Sequence, residues 1–122
     1  GIILLVEDDN SVMKLTKKIL NDAGFETIEY SSAEDALKYL KTLKNVNRIS
    51  LIITDIVLGG ISGGEFIKQV ELDYPGIPVI YTSGFADRAI ETLASIDNTS
   101  VFLAKPFSRQ SLLEKVMGQI AV

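Results

Sequence analysis

Ile2-Ile3-Leu4-Leu5-Val6-Glu7-Asp8-Asp9 decides the fold, because five consecutive apolar residues break off into three consecutive acids. An apolar run without polar alternation fits a strand buried on both faces of a parallel sheet. The same signature recurs along the chain. Leu51 to Thr54 leads into Asp55, and Val101 to Ala104 leads into Lys105-Pro106. If these runs are neighbouring parallel strands, carboxylates and one ammonium converge at one sheet edge. Crowded acids repel, a divalent cation with oxygen ligands relieves that repulsion, and the lysine is left to face an incoming anion. The pattern reads as phosphoryl chemistry on an aspartate.

Two further runs, Phe25 to Tyr30 and Ile77 to Tyr81, bring the expected strands to five. Phe25 to Tyr30 alone looks half exposed and suits a sheet edge. Between the strands the apolar residues fall at helical spacing: Val12, Leu15, Thr16, Ile19 and Leu20; Ala33, Ala36, Leu37 and Leu40; Phe66, Ile67 and Val70; and Leu112, Leu113, Val116, Met117 and Ile120. A weaker stripe of Ile90, Leu93 and Ala94 predicts a short helix over Ala86 to Ser95. Asp22-Ala23-Gly24 and Tyr74-Pro75-Gly76 read as helix stops, and Ser31 or Ser32 and Ser108 as caps. Strict βα alternation with right-handed crossovers gives an open five-stranded parallel sheet with helices on both faces, a (βα)5 three-layer sandwich. In such sheets, sites form beyond the carboxyl ends of the strands where strand order reverses. Glu7 to Asp9, Asp55, Thr82-Ser83-Gly84 and Lys105-Pro106 all fall there.

With 122 residues, 47% hydrophobic and 23% charged, the chain fits one ordered domain over 1–122. The net charge of −4, with scattered lysines and arginines, lacks the footprint of a nucleic-acid binder. Cysteine and histidine are both absent, which excludes disulfides, thiolate or imidazole metal sites, Ser-His-Asp triads and a phosphohistidine on this chain. No apolar run is long enough for a membrane span, and no signal segment opens the chain, so a cytoplasmic protein is expected. The start at Gly1 suggests a domain excised from a larger parent.

Asp55 is the candidate nucleophile, because an ionised carboxylate can attack a phosphoryl group once the charge between the two anions is neutralised. The bland reading is a loop carboxylate that ends a strand. Glu7, Asp8 and Asp9, three consecutive acids after a buried strand, are candidate ligands for a hard cation such as Mg²⁺, and the bland reading has Asp9 or Asn10 capping the first helix with the others solvated. Lys105 would stabilise charge on phosphoryl oxygens, unless it is an ordinary surface lysine. Pro106 permits a cis bond after Lys105. The Ser83 hydroxyl would donate to a phosphoryl oxygen, unless it merely starts a turn. Gly59 and Gly64 satisfy the outer spacing of a nucleotide P-loop, but Glu65-Phe66 follows in place of Lys-Ser or Lys-Thr, so the segment reads as a turn.

Together these residues resemble the receiver domain of two-component response regulators over essentially the whole chain. Ile3-Leu4-Leu5-Val6-Glu7-Asp8-Asp9 looks like the family's first strand and acidic pair, matched to Glu7 and Asp8. Thr54-Asp55-Ile56-Val57-Leu58, followed by Gly63, looks like the phosphoacceptor segment. Pro78 to Gly84 resembles the fourth strand, with its hydroxyl at Ser83, and Phe102-Leu103-Ala104-Lys105-Pro106-Phe107 the fifth. The resemblance implies a flavodoxin-like domain that accepts a phosphoryl group onto Asp55 from the phosphohistidine of a histidine kinase or histidine phosphotransfer protein. It implies Mg²⁺ held by Asp8, Asp55 and the main-chain carbonyl of Val57, and by Glu7 through water. Lys105 and Ser83 would grip the phosphoryl oxygens, and Phe102 would turn inward as Ser83 moves, altering the surface of the fourth helix, fifth strand and fifth helix. A homodimer is compatible with this reading. No direct contact with nucleic acid or membrane is implied.

Two departures stand out. Gly59 stands where the family often has proline, and Val57 and Phe85 are apolar where other receivers often carry polar groups. The Thr82-Ser83-Gly84-Phe85 and Phe102-Leu103-Ala104-Lys105-Pro106-Phe107 variants look most like receivers fused to hybrid histidine kinases. A regulator followed by a DNA-binding domain is the other parent considered. A haloacid-dehalogenase-like phosphatase shares the aspartate, Mg²⁺ and lysine, but needs an Asp-x-Asp pattern that Glu7-Asp8-Asp9-Asn10 lacks. A pseudo-receiver scaffold without phosphotransfer would not need Asp8, Asp55, Ser83 and Lys105 together. The expectation is therefore a phosphoacceptor module rather than an enzyme acting on a separate substrate.

Overall fold

The computed structural model describes residues 1–44, 48–58, 61–84 and 101–120. Five strands, β1 (Ile2–Val6), β2 (Glu26–Tyr30), β3 (Ile49–Asp55), β4 (Val79–Ser83) and β5 (Val101–Ala104), form one parallel sheet in the order β2-β1-β3-β4-β5. The described helices are α1 (Asn10–Asp22), α2 (Ala33–Thr42), α3 (Gly63–Asp73) and α4 (Arg109–Ile120). This is the flavodoxin-like doubly wound arrangement, and strand order reverses between β1 and β3. The expected helix over 86–95, Phe85 and Gly59 lie outside the described residues.

Side chains alternate across each strand, so one apolar run feeds two cores. Ile2, Leu4 and Val6 join Ala33, Ala36, Leu40, Phe66 and Val70 on the α2 and α3 side. Ile3 and Leu5 join Met13, Ile19, Leu20, Leu112 and Val116 on the α1 and α4 side. This double burial explains why β1 is apolar throughout while edge strand β2 is only partly covered.

Helix ends follow local chemistry. Asp9 caps α1, accepting from Ser11 and Val12 N–H, and Ser32 and Ser62 cap α2 and α3. Gly24, at φ 94°, supplies the left-handed turn after α1 that a side chain would resist.

Two expectations need correction. The α1 stripe is rotated: Met13 joins Thr16, Ile19 and Leu20 in the buried face, whereas Leu15 is 50% exposed. The sheet lies on the Met13 side, a choice that helical spacing alone leaves open. β4 also runs two residues later than expected, through Thr82 and Ser83. Pro78 has no N–H to give the ladder, and pairing starts with its carbonyl accepting from Ile52 at 2.9 Å. Ser83 is therefore the last residue of a central strand, fully buried, rather than part of a turn.

Candidate functional site

The ladder continues one residue beyond the strands, and these extra bonds build the site. Glu7 N–H donates to the Tyr30 carbonyl at 3.1 Å, Ile56 N–H to that of Thr82 at 3.0 Å, and Lys105 N–H to that of Ser83 at 2.7 Å. Each bond fixes main chain at or beside a charged side chain. The Lys105-Pro106 peptide bond is cis.

At this edge one oxygen each from Glu7, Asp8 and Asp55 lies within 4.8 Å of the others, with Glu7 and Asp55 buried and Asp8 exposed. Lys105 Nζ reaches across the sheet to donate to Asp55 Oδ2 at 2.7 Å and also to Glu7 Oε1. The remaining oxygens of the two buried acids take main-chain donors. Asp55 Oδ1 accepts from Val57 N–H at 3.0 Å, and Glu7 Oε2 from Asp9 N–H at 3.0 Å. Both carboxylates are thus oriented at both oxygens, and Glu7 and Asp55, two of the three clustered acids, share one ammonium.

Burial pushes the Glu7 carboxyl above the ordinary carboxylate range. The hydrogen bonds from Lys105 and Asp9 oppose that rise, and the charge of Asp55 adds to it. At Lys105, burial alone would lower the pKa. Its hydrogen bonds and attraction to Asp55 and Glu7 outweigh burial and leave it above the usual lysine value. Burial prevails at Glu7 and pairing at Lys105 because one lysine serves two carboxylates. The ammonium therefore stays charged at neutral pH.

The Ser83 hydroxyl oxygen is buried and has no hydrogen-bond partner among the described residues. An orphaned hydroxyl costs about 1–3 kcal/mol of desolvation, so its presence calls for a role. On the same face of β4, Tyr81 stacks on Phe102 with ring centroids 5.6 Å apart and planes at 27°. The two are register partners on β4 and β5. Tyr81 is buried, and Phe102, on the edge strand, is only partly so.

Of the residues picked out from sequence, Glu7, Asp8, Asp55 and Lys105 come together, with Val57 bonded to Asp55 through its amide. Ser83 pairs with Ala104, and its carbonyl accepts from the Lys105 N–H. Phe102 faces the Tyr81 ring rather than the acids, and Asp9 is a cap. Two relationships were missed. Glu7 shares the lysine, and Thr54 Oγ1 donates to the Asp55 carbonyl at 3.1 Å. A hydroxyl inside the otherwise apolar Leu51-Ile52-Ile53 run was the available signal for the second.

Comparison with known proteins agrees with this geometry. The chain is 32% identical over 113 residues to the heme response regulator HssR of Staphylococcus saprophyticus, covering 93% of this chain and 48% of that protein. It is 30% identical over 123 residues to the CAI-1 autoinducer sensor kinase/phosphatase CqsS of Vibrio cholerae, covering 97% of this chain and 17% of that protein. The chain thus spans half or less of the length of these relatives. A response regulator receiver protein from Sinorhizobium medicae superposes with a TM-score of 0.84 at 28% identity, covering 99% of this chain and 94% of that one. The sequence profile of the response regulator receiver domain matches residues 3–117, and the chain belongs to that family of two-component signalling domains.

Proposed function

We propose that Asp55 is the phosphoacceptor of this receiver domain and that the chain works in the cytoplasm, taking its phosphoryl group from the phosphohistidine of a histidine kinase or histidine phosphotransfer protein. The observation that carries this reading is the convergence of Glu7, Asp8 and Lys105 on Asp55. An Asp55 carboxylate oxygen attacks phosphorus, the P–N bond to the donor imidazole breaks, and its electron pair stays on the imidazole nitrogen. The product is an acyl phosphate on Asp55. The chain acts on itself rather than turning over a separate substrate.

The donor set fits a hard divalent cation, since it consists of oxygen atoms only and carries more negative charge than Lys105 balances. Mg²⁺ would be held by Asp8, Asp55 and the Val57 carbonyl, with Glu7 contributing through water. When bound, it neutralises charge between the carboxylate and the phosphoryl oxygens. Lys105 places its ammonium beside the attacking carboxylate, and Ser83 carries a hydroxyl ready to donate once an acceptor arrives. Movement of Ser83 would shift Tyr81 and Phe102 with β4 and change the surface around β5 and α4. The Ser83 and Lys105 segments, which look most like those of receivers fused to hybrid histidine kinases, favour such a kinase as the parent, and the similarity to the sensor kinase CqsS supports that reading.

Incubation with acetyl phosphate and Mg²⁺, followed by mass spectrometry, tests the reading. We expect one phosphate on Asp55, dependent on Mg²⁺ and abolished in Asp55→Asn. Labelling at another residue, or undiminished labelling in Asp55→Asn, would falsify it.

A further inference from the structure

Asp55 is held at its main chain as well as at its carboxylate. Its carbonyl oxygen accepts from the Thr54 hydroxyl at 3.1 Å, and Thr54 is completely buried. On another side the start of α3 folds back over the end of β3, where Gly63 N–H donates to the Ile56 carbonyl at 2.9 Å. A Cβ at position 63 would collide with the Asp55 carbonyl oxygen and would lie 3.0 Å from both the Asp55 carbonyl carbon and Ile56 Cα. All three are main-chain atoms, so no flexible side chain can yield. Any side chain at 63 must displace either the Asp55-Ile56 peptide or the first turn of α3.

We propose that Thr54 and Gly63 are positioning residues that fix the Asp55-Ile56 peptide and thereby aim the Asp55 carboxylate. The inference rests on Asp55 being the phosphoacceptor. Rotation of this peptide swings the Asp55 Cα–Cβ bond, and with it both carboxylate oxygens. In-line attack tolerates little of this, since misplacement by about 1 Å costs on the order of a hundredfold in rate. The Thr54 hydroxyl resists rotation by its bond to the carbonyl, and Gly63 resists it by close contact. Neither residue is assigned to the phosphoryl group or to the cation.

The test compares the parent chain with Thr54→Val, Thr54→Ser, Gly63→Ala and Ser32→Ala, the last removing the α2 cap away from the site. For each, the rate of Asp55 labelling by acetyl phosphate, the Mn²⁺ affinity by calorimetry and the thermal midpoint are measured. Thr54→Val is expected to slow labelling at least about tenfold and to weaken Mn²⁺ binding, with Gly63→Ala at least as severe. Thr54→Ser should restore the parent rate. Ser32→Ala should lower the midpoint without slowing labelling. Thr54→Val decides the matter even if Gly63→Ala fails to fold, because it is isosteric and keeps a β-branched residue in β3. Parent-like labelling and Mn²⁺ affinity in Thr54→Val overturn the proposal, as does a Thr54→Ser or Ser32→Ala variant as slow as Thr54→Val. A parent chain that takes no label on Asp55 overturns the phosphoacceptor reading instead. The positioning claim is then decided by Mn²⁺ affinity, with loss in Thr54→Val but not in Thr54→Ser supporting it and equal affinities refuting it.

Discussion

Lys105 donates its main-chain N–H to the Ser83 carbonyl at 2.7 Å, so the ammonium and the orphaned hydroxyl are carried on two directly bonded peptides. The same Lys105 crosses the sheet to Asp55, 50 residues away in sequence. Changes at Asp55 can therefore reach the β4 and β5 ends through one short chain of bonds.

Removing the ammonium should leave two buried carboxylates without their shared cation. Lys105→Met is expected to lose about 3 kcal/mol of stability in EDTA, with part of the loss recovered on adding Mg²⁺. Urea unfolding with and without the metal measures both. Equal stability of parent and variant in EDTA would show that the pair contributes nothing.

Glu7 should make stability depend on pH. Its folded-state pKa is raised, so its favourable contribution is complete at low pH and is lost as pH rises through that folded value. Glu7→Gln should therefore be more stable than the parent at pH 7.5 in EDTA. The gap should close as pH falls toward the ordinary glutamate value of 4.5. Chemical unfolding across that range checks the sign, and a variant less stable at pH 7.5 contradicts it.

Ser83→Ala separates stability from signalling. The hydroxyl has no partner to lose, so its removal should be neutral or stabilising by about 1 kcal/mol. Acetyl phosphate labelling of Asp55 should nevertheless slow at least about tenfold. Thermal unfolding and labelling rates on the same sample test this, and a clear loss of stability would mean that the hydroxyl is bonded in the resting protein.

Val57 is 54% exposed and stands two residues beyond Asp55. Val57 and, by residue type, Phe85 are apolar, so neither side chain can hydrogen-bond a water for attack on the acyl phosphate. The phosphorylated parent should outlast a Val57→Asn, Phe85→Glu variant several-fold, or about 1 kcal/mol in barrier. Decay of the Asp55 phosphate after donor removal is the measurement. Equal or faster decay in the parent refutes the prediction.

The βα alternation, the double burial of β1 and the convergence of Glu7, Asp8, Asp55 and Lys105 were legible in the sequence. Each is local: an apolar run reports burial on both faces, and a charged residue directly after such a run must sit at the sheet's carboxyl edge. Asp9 could likewise be read as a cap from its place before the helical stripe. Tertiary packing decided the rest. It rotated α1 to bury Met13 instead of Leu15, extended β4 through Ser83 by pairing Thr82 with Asp55 and Ser83 with Ala104, and divided Lys105 between Glu7 and Asp55. It also pressed Gly63 against the Asp55 carbonyl. Gly63 lies only eight residues from Asp55, but the other outcomes depend on distances between segments tens of residues apart, and close packing fixes them all where neither residue type nor spacing encodes them.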